Sequence, residues 1–180
     1  MRSHESGWMS WQACRWLAGL EAGVWAGLAT LGWFVLTAVW SRHSIWEAPN
    51  RLGSLFYGVA GRRAGFHAAT AAGLAFHVFT SGVVGLLFAS VARQGRNRVR
   101  TGLLGMVTGL AWCYLAYGWF WGRLLPPGGL VPPPWLLAAY VVFGAGLGSY
   151  PGRLRSVERH FLGEGEPASK PRPGGPPQGE

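Results

Sequence analysis

Apolar residues in this chain come in four long runs separated by shorter polar connections. The longest is 64–92, AGFHAATAAGLAFHVFTSGVVGLLFASVA, which contains no Asp, Glu, Lys or Arg. A helix of that length exceeds the roughly 30 Å hydrocarbon core of a bilayer. His67, Thr70, His77, Thr80 and Ser81 interrupt the run. A helix facing only lipid would leave those groups without hydrogen-bond partners, which is costly. The pattern predicts a spanning helix whose small and polar side packs against neighbours. Thr70, Thr80 and Ser81 fall near the face of His77 at about 100° per residue.

Runs at 16–40, 101–122 and 134–151 predict three more spans. The expected fold is all-α, an integral membrane four-helix bundle occupying 16–155. Residues 1–15 read as a separate, mostly polar segment with Trp8 and Trp11 at an interface. The 16–40 run is longer than the roughly 7–15 apolar residues of a signal peptide, and no small-residue cleavage site follows it. It predicts a retained helix. Gly19, Gly23 and Gly27 are spaced by four in the first run, as are Gly105 and Gly109 in the third and Gly144 and Gly148 in the fourth. Small residues at that spacing let two helix backbones approach closely, so these seven are the expected helix-packing positions. Their surroundings do not align, and no internal repeat is expected.

The connections carry their own signals. Within 41–63, Pro49 suits a first helical turn, and Leu52, Leu55, Phe56 and Val59 recur at i, i+3, i+4 and i+7. Arg51, Ser54 and Gly58 lie away from that stripe. The pattern predicts a short interfacial helix lying on the membrane surface; lining a pore mouth is the alternative. RLLPPGGLVPPP, at 123–134, has five prolines and two glycines and cannot be helical. RLRSVERHFL, at 153–162, can continue a helix at the surface. From 163 onward a Pro/Gly-rich stretch predicts a disordered tail.

Composition sharpens the membrane reading. Hydrophobic residues make up 49% and charged ones 13%, against about 25% charged in soluble domains. The 11 tryptophans fit a chain with two interfaces, where Trp concentrates. The net charge of +9 comes from arginines placed between apolar runs, which fits membrane topology better than a nucleic-acid face. Nine of them, Arg2, Arg15, Arg93, Arg96, Arg98, Arg100, Arg153, Arg155 and Arg159, fall on one side and five on the other. By the positive-inside rule both termini are cytoplasmic. Arg62 and Arg63 oppose this assignment and would have to snorkel to headgroups. Cys14 and Cys113 fall at different depths, so no disulfide is expected, and two distant cysteines make no zinc spacing.

Candidate chemistry is sparse. Glu21 is the only acid inside a run. A buried carboxylate costs ~3 kcal/mol on insertion scales, which marks it as a candidate for proton or cation movement. It also lies only six residues beyond Arg15, near the headgroup boundary, where it could reach water or pair with an arginine. His77 is mid-run, a candidate proton relay or haem ligand, or an interhelical hydrogen-bond donor to a carbonyl. His67 is ten residues earlier, roughly 15 Å along a helix, so the two cannot share a metal ion. A coupled Glu21–His77 pair would need tilt or a bridging water, since their depths differ. There is no Ser/His/Asp constellation and no phosphate-binding glycine loop. The expectation is a non-enzymatic protein without cofactor or metal, whose partners are the bilayer and a second copy or another membrane protein. A small proton-linked carrier using Glu21 and His77 is the alternative, and a haem-holding electron-transfer subunit the second.

Two families share parts of this layout. The chain resembles the YagU family of bacterial inner-membrane proteins, on its glycine-spaced first span, histidine-containing second span, basic 93–100 turn, glycine-opened third span and Pro-rich turn before Trp135. The resemblance covers 16–155 in arrangement. It implies a multi-pass protein of the bacterial inner membrane with a link to acid tolerance. No site residues come with it. LAGLEAGVWAGL is similar to the first span of the small multidrug resistance family, whose four-helix subunits carry a glutamate there. The long 41–63 connection departs from that family's compact pattern.

Overall fold

The computed structural model describes residues 3–92, 98–121 and 132–162 of the 180. The basic turn at 93–97, most of the Pro-rich connection and the tail from 163, where disorder is expected, lie outside the described residues. Among the described residues there are helices and turns but no strand. Helix α1 is Ser3–Trp40, α2 is Glu47–Tyr57, α3 is Ala68–Val91, α4 is Arg98–Ala116, α5 is Pro134–Leu147 and α6 is Tyr150–Leu162. A 3₁₀ turn, Gly58–Arg62, follows α2, and a π-helical turn, Tyr117–Trp121, ends α4. The helix boundaries follow from local chemistry. Pro134 opens α5 after an extended Pro133, where its missing N–H is no loss. α3 starts later than its apolar run, because Gly65 sits at φ +91° and His67 takes an extended N-cap conformation. The His67 side chain accepts the Thr70 N–H, and the Thr70 hydroxyl accepts the His67 N–H at 2.9 Å, a reciprocal cap. At the other extreme, α1 runs without a break from Ser3 through the described part of the segment read as separate at 1–15, which contains no proline.

Among the described residues three helices are long and apolar enough to cross a membrane: Trp11–Trp40 within α1, Ala68–Val91, and Val99–Trp119. α5 is as apolar but has 14 residues, about 21 Å of rise. α1 is the hub. It packs on α3, on α5 and on α6, while α4 packs on α5 and α2 on α3. Across the molecule the order is α2–α3–α1–α5–α4. α3 and α4, consecutive in the chain, barely touch.

The glycines define how close these helices come. A Cβ built on Gly85 would stand 2.7 Å from the Gly23 Cα, and one on Gly23 would stand 2.8 Å from the Gly85 Cα. Gly19 lies against Ala89 and Gly27 against Ser81, so α1 and α3 run antiparallel along one small-residue seam. A second antiparallel seam joins α4 and α5, where a Cβ on Gly109 would stand 2.9 Å from the Gly144 Cα and Gly105 meets the Gly144 carbonyl. Gly148 approaches Gly102. Gly146 joins α5 to α1, since a Cβ there would stand 2.8 Å from the Ala26 Cα.

α2 packs on α3 through its small and polar face. Its buried residues are Pro49, Asn50, Leu52, Gly53 and Ser54. Phe56 is 60% exposed, Val59 85% and Leu55 38%, so three members of the predicted apolar stripe face outward, and Ser54 faces in. Backbone approach sets the face that meets α3, opposite most of the stripe. Gly53 sits on the Ala69 backbone and Gly73 on the Pro49 carbonyl, closer than any side chain would permit. The Leu55 and Phe56 side chains lie away from that seam and are turned to the outside, while Leu52 is buried. We expect Gly23→Ile to lower the thermal midpoint of the detergent-solubilised protein, through overpacking worth about 1–3 kcal/mol. Gly32→Ile, at a glycine with nothing within 4 Å of a built Cβ, should leave the midpoint unchanged. Equal midpoints would show that the α1–α3 seam does not hold the fold.

Candidate functional site

Three polar places lie in or beside this apolar bundle. The first is where α6 folds back on α1. Arg153 donates to the Glu21 carboxylate, to Ser149 Oγ at 3.1 Å, and lies 5.4 Å over the Trp25 ring. Glu21 is 41% exposed and Arg153 24%, so the pair is partly wet. Nearby, Arg15 donates to the Ala89 carbonyl at 2.7 Å, capping the end of α3, and stacks 4.9 Å over Trp11. A cation at a helix C-terminus is favourable in itself. Arg15 Nε and the Tyr150 hydroxyl are both buried without a hydrogen-bond partner. The acid singled out by sequence is therefore paired with an arginine 132 positions away and not with Arg15.

The second place is the middle of the bundle. His77 Nε2 meets the Gly27 carbonyl at 3.0 Å. A carbonyl only accepts, so Nε2 carries the proton, and Nδ1 is the acceptor of the neutral ring. His77 borders a small void, also lined by Thr30, Thr80, Ser81, Trp112 and Tyr140, with room of about 20 Å³ for water-sized occupants. That suffices for one water. Thr30 and Thr80 turn their hydroxyl protons back to their own helices, at 2.9 Å on Ala26 O and 2.8 Å on Phe76 O. Glu21 and His77 are not brought together. Gly27, level with His77, is six residues beyond Glu21, roughly 9 Å along α1. Thr70 is also elsewhere, at the far end of α3. Among the described residues no group of three His, Cys, Asp or Glu side chains could hold a metal. Cys14 and Cys113 are each buried and free.

The third place, at the α2 end, carries residues that sequence reading missed. Asn50, 3% exposed, donates to the Arg63 carbonyl at 2.8 Å and the Gly65 carbonyl at 3.0 Å. It also accepts the Thr70 hydroxyl proton. One amide thus ties α2, the 3₁₀ turn and the start of α3. Asn50 gave no advance signal, because it stands beside Glu47 and Arg51 in a polar helix turn. On the outer face of α2, Glu47 accepts from His43 at 3.0 Å and from Arg51. Burial pushes the Glu47 carboxyl up, but the His43 and Arg51 hydrogen bonds outweigh it and hold it below its ordinary range.

Together these features define an α-helical protein with, among the described residues, three membrane-length apolar helices, its polar groups used partly within helices and partly between them. No family model, curated protein or solved structure matches the chain.

Asn50→Asp should destabilise the protein at least as much as Asn50→Ala, by about 1–3 kcal/mol, because a carboxylate cannot donate to two carbonyls. Thermal unfolding in detergent measures it; a silent Asn50→Asp would contradict the assignment. For Glu47 the folded pKa is depressed, so its stabilisation is complete above the ordinary carboxylate range and is lost as pH falls through the depressed value. The group is largely exposed, so the loss is small, below about 1 kcal/mol. Glu47→Gln should flatten the acid limb of stability against pH by that amount.

Proposed function

We propose that this is a multi-pass protein of the bacterial inner membrane that works without catalysis, packing with itself or with other membrane proteins, in a setting of envelope stress or acid tolerance. It crosses the membrane four times, with both termini in the cytoplasm. α5 supplies the fourth crossing with the first turn of α6, since 134–151 as helix rises about 27 Å. The antiparallel order of α1, α3, α4 and α5 supports an even number of crossings. The interfacial α2 lies at the far side, its Leu55, Phe56 and Val59 turned to lipid.

The observation that carries the non-catalytic reading is the Glu21–Arg153 pair. The one acid in an apolar run is held by an arginine that folds α6 onto α1, and it faces no partner along a path through the bundle. A second reading, a proton-linked carrier using Glu21 and His77, draws on the polar void at His77. Proteoliposomes separate them. We expect wild type and Glu21→Gln alike to show no pH-driven flux above empty vesicles. Glu21→Gln should lower the thermal midpoint slightly, by the ~0.2–1 kcal/mol of a partly exposed pair, and Glu21→Arg combined with Arg153→Glu should recover it. A proton flux abolished by Glu21→Gln would overturn this reading in favour of the carrier.

A further inference from the structure

The void beside His77 sits where five helices meet. Thr30 of α1, Leu52 of α2, Ser81 of α3, Trp112 of α4 and Tyr140 of α5 all border it. α1 and α3 come no closer here, since a Cβ on Gly27 would stand only 2.7 Å from the Ser81 Cβ. The room left is about 20 Å³. One water fills a space of that size, and a molecule of several heavy atoms does not fit.

The polar groups around it have unspent capacity. Ser81 is 2% exposed, and among the described residues its hydroxyl has no hydrogen-bond partner. A serine in a helix commonly turns its proton to the carbonyl four residues back. For Ser81 that is His77 O, which already accepts from the Thr80 hydroxyl at 3.1 Å. His77 spends its Nε2–H on Gly27 O at 3.0 Å, which leaves Nδ1 an acceptor. Among the described residues nothing donates to that nitrogen. Thr30, 1% exposed, gives its proton to Ala26 O at 2.9 Å and keeps the lone pairs of its own oxygen.

The border therefore carries one unspent donor, on Ser81, and two unspent acceptors, on His77 and Thr30. Water complements that set. It accepts from Ser81 and donates to His77 Nδ1 and to Thr30 Oγ1, the roughly three bonds that a buried water usually makes. A bare cation would bring its charge against a wall that holds no acid, with nothing to offset its desolvation. An apolar occupant would leave all three groups unpaired.

We propose that this void is a binding site for a single water molecule, held by Ser81, His77 Nδ1 and Thr30, which joins α3 to α1 at the centre of the bundle. The water completes the role of His77. With Nε2–H on Gly27 and Nδ1 on the water, the ring is held in one neutral tautomer, and each of its nitrogens links α3 to α1.

The test uses the full chain in an uncharged detergent, with isotope-labelled histidine ring nitrogens read by NMR. Signals lost in His77→Gln identify the His77 pair. In wild type Nε2 should carry the proton, and the bare Nδ1 should resonate at the lower frequency of a nitrogen that accepts a hydrogen bond. Ser81→Ala combined with Thr30→Val removes two of the water's three partners with little change of shape. Nδ1 should then move to higher frequency, towards a free acceptor, while Nε2 stays on Gly27. Thr108→Val removes a hydroxyl that bonds Leu104 O at 2.8 Å, away from the void, and should move neither signal. Circular dichroism should show the helices intact in each variant. Should the double variant not fold, Ser81→Ala alone should move Nδ1 in the same direction. A structure that resolves ordered water should show a peak within about 3.2 Å of Ser81 Oγ. A wild-type Nδ1 that is protonated or already at the free-acceptor position, an Nδ1 unmoved by the Ser81 and Thr30 changes, or no peak at Ser81 would each overturn the proposal.

Discussion

Backbone-to-backbone approach at glycine is the constraint from which the rest of this structure follows. Lipid tails are as apolar as leucine, so helices in a bilayer gain little by hiding apolar side chains from them. What remains is dense van der Waals contact and hydrogen bonding between helices. Gly23 against Gly85, Gly109 against Gly144 and Gly146 against Ala26 supply it at three seams. Two of those seams converge on α1, which makes it the hub and leaves α3 and α4 apart. α2 obeys the same rule at a fourth seam: Gly53 and Gly73 bring it onto α3, and its larger apolar side chains must go elsewhere.

Close seams also bring main-chain carbonyls within reach of side chains from the next helix. Gly27 is the clearest case. A larger residue there would separate α1 from α3 at Ser81 and would move its carbonyl away from His77. Arg15 uses the same opportunity at Ala89, and Trp33 Nε1 does so at the Trp135 carbonyl, at 3.2 Å. The threonines take the other route and bond their own helix four residues back, as Thr30, Thr80 and Thr108 do. Both routes meet the demand that polar groups in an apolar interior find partners.

The two ends of the bundle differ in chemistry. At the α6 end, arginines are drawn inward, one to a carboxylate and one to a helix C-terminus, each lying over a tryptophan ring. Their aliphatic stems cover apolar surface while the charge stays near water. At the α2 end, Asn50 ties three segments through a single amide, and the charged residues stay on the rim of an apolar cavity. The α6 end is a clasp of two arginines, and it leaves Arg15 Nε and the Tyr150 hydroxyl buried without a hydrogen-bond partner.

Local sequence determined the helices, because apolar runs without charge leave the backbone no way to satisfy itself in an apolar medium except internally. It also displayed Glu21 and His77 as polar groups in apolar surroundings. Partners were another matter. Arg153 is 132 positions from Glu21 and Gly27 is 50 from His77, and nothing local encodes such pairings. The packing face of α2 was out of reach for the same reason: size at Gly53 and the hydrogen bonds of Asn50 decided which side meets α3, and Leu55, Phe56 and Val59 are left exposed. Which helices are neighbours, which carbonyls meet which donors, and where a cavity remains are properties of backbones fitted together in space, and only the tertiary structure decided them.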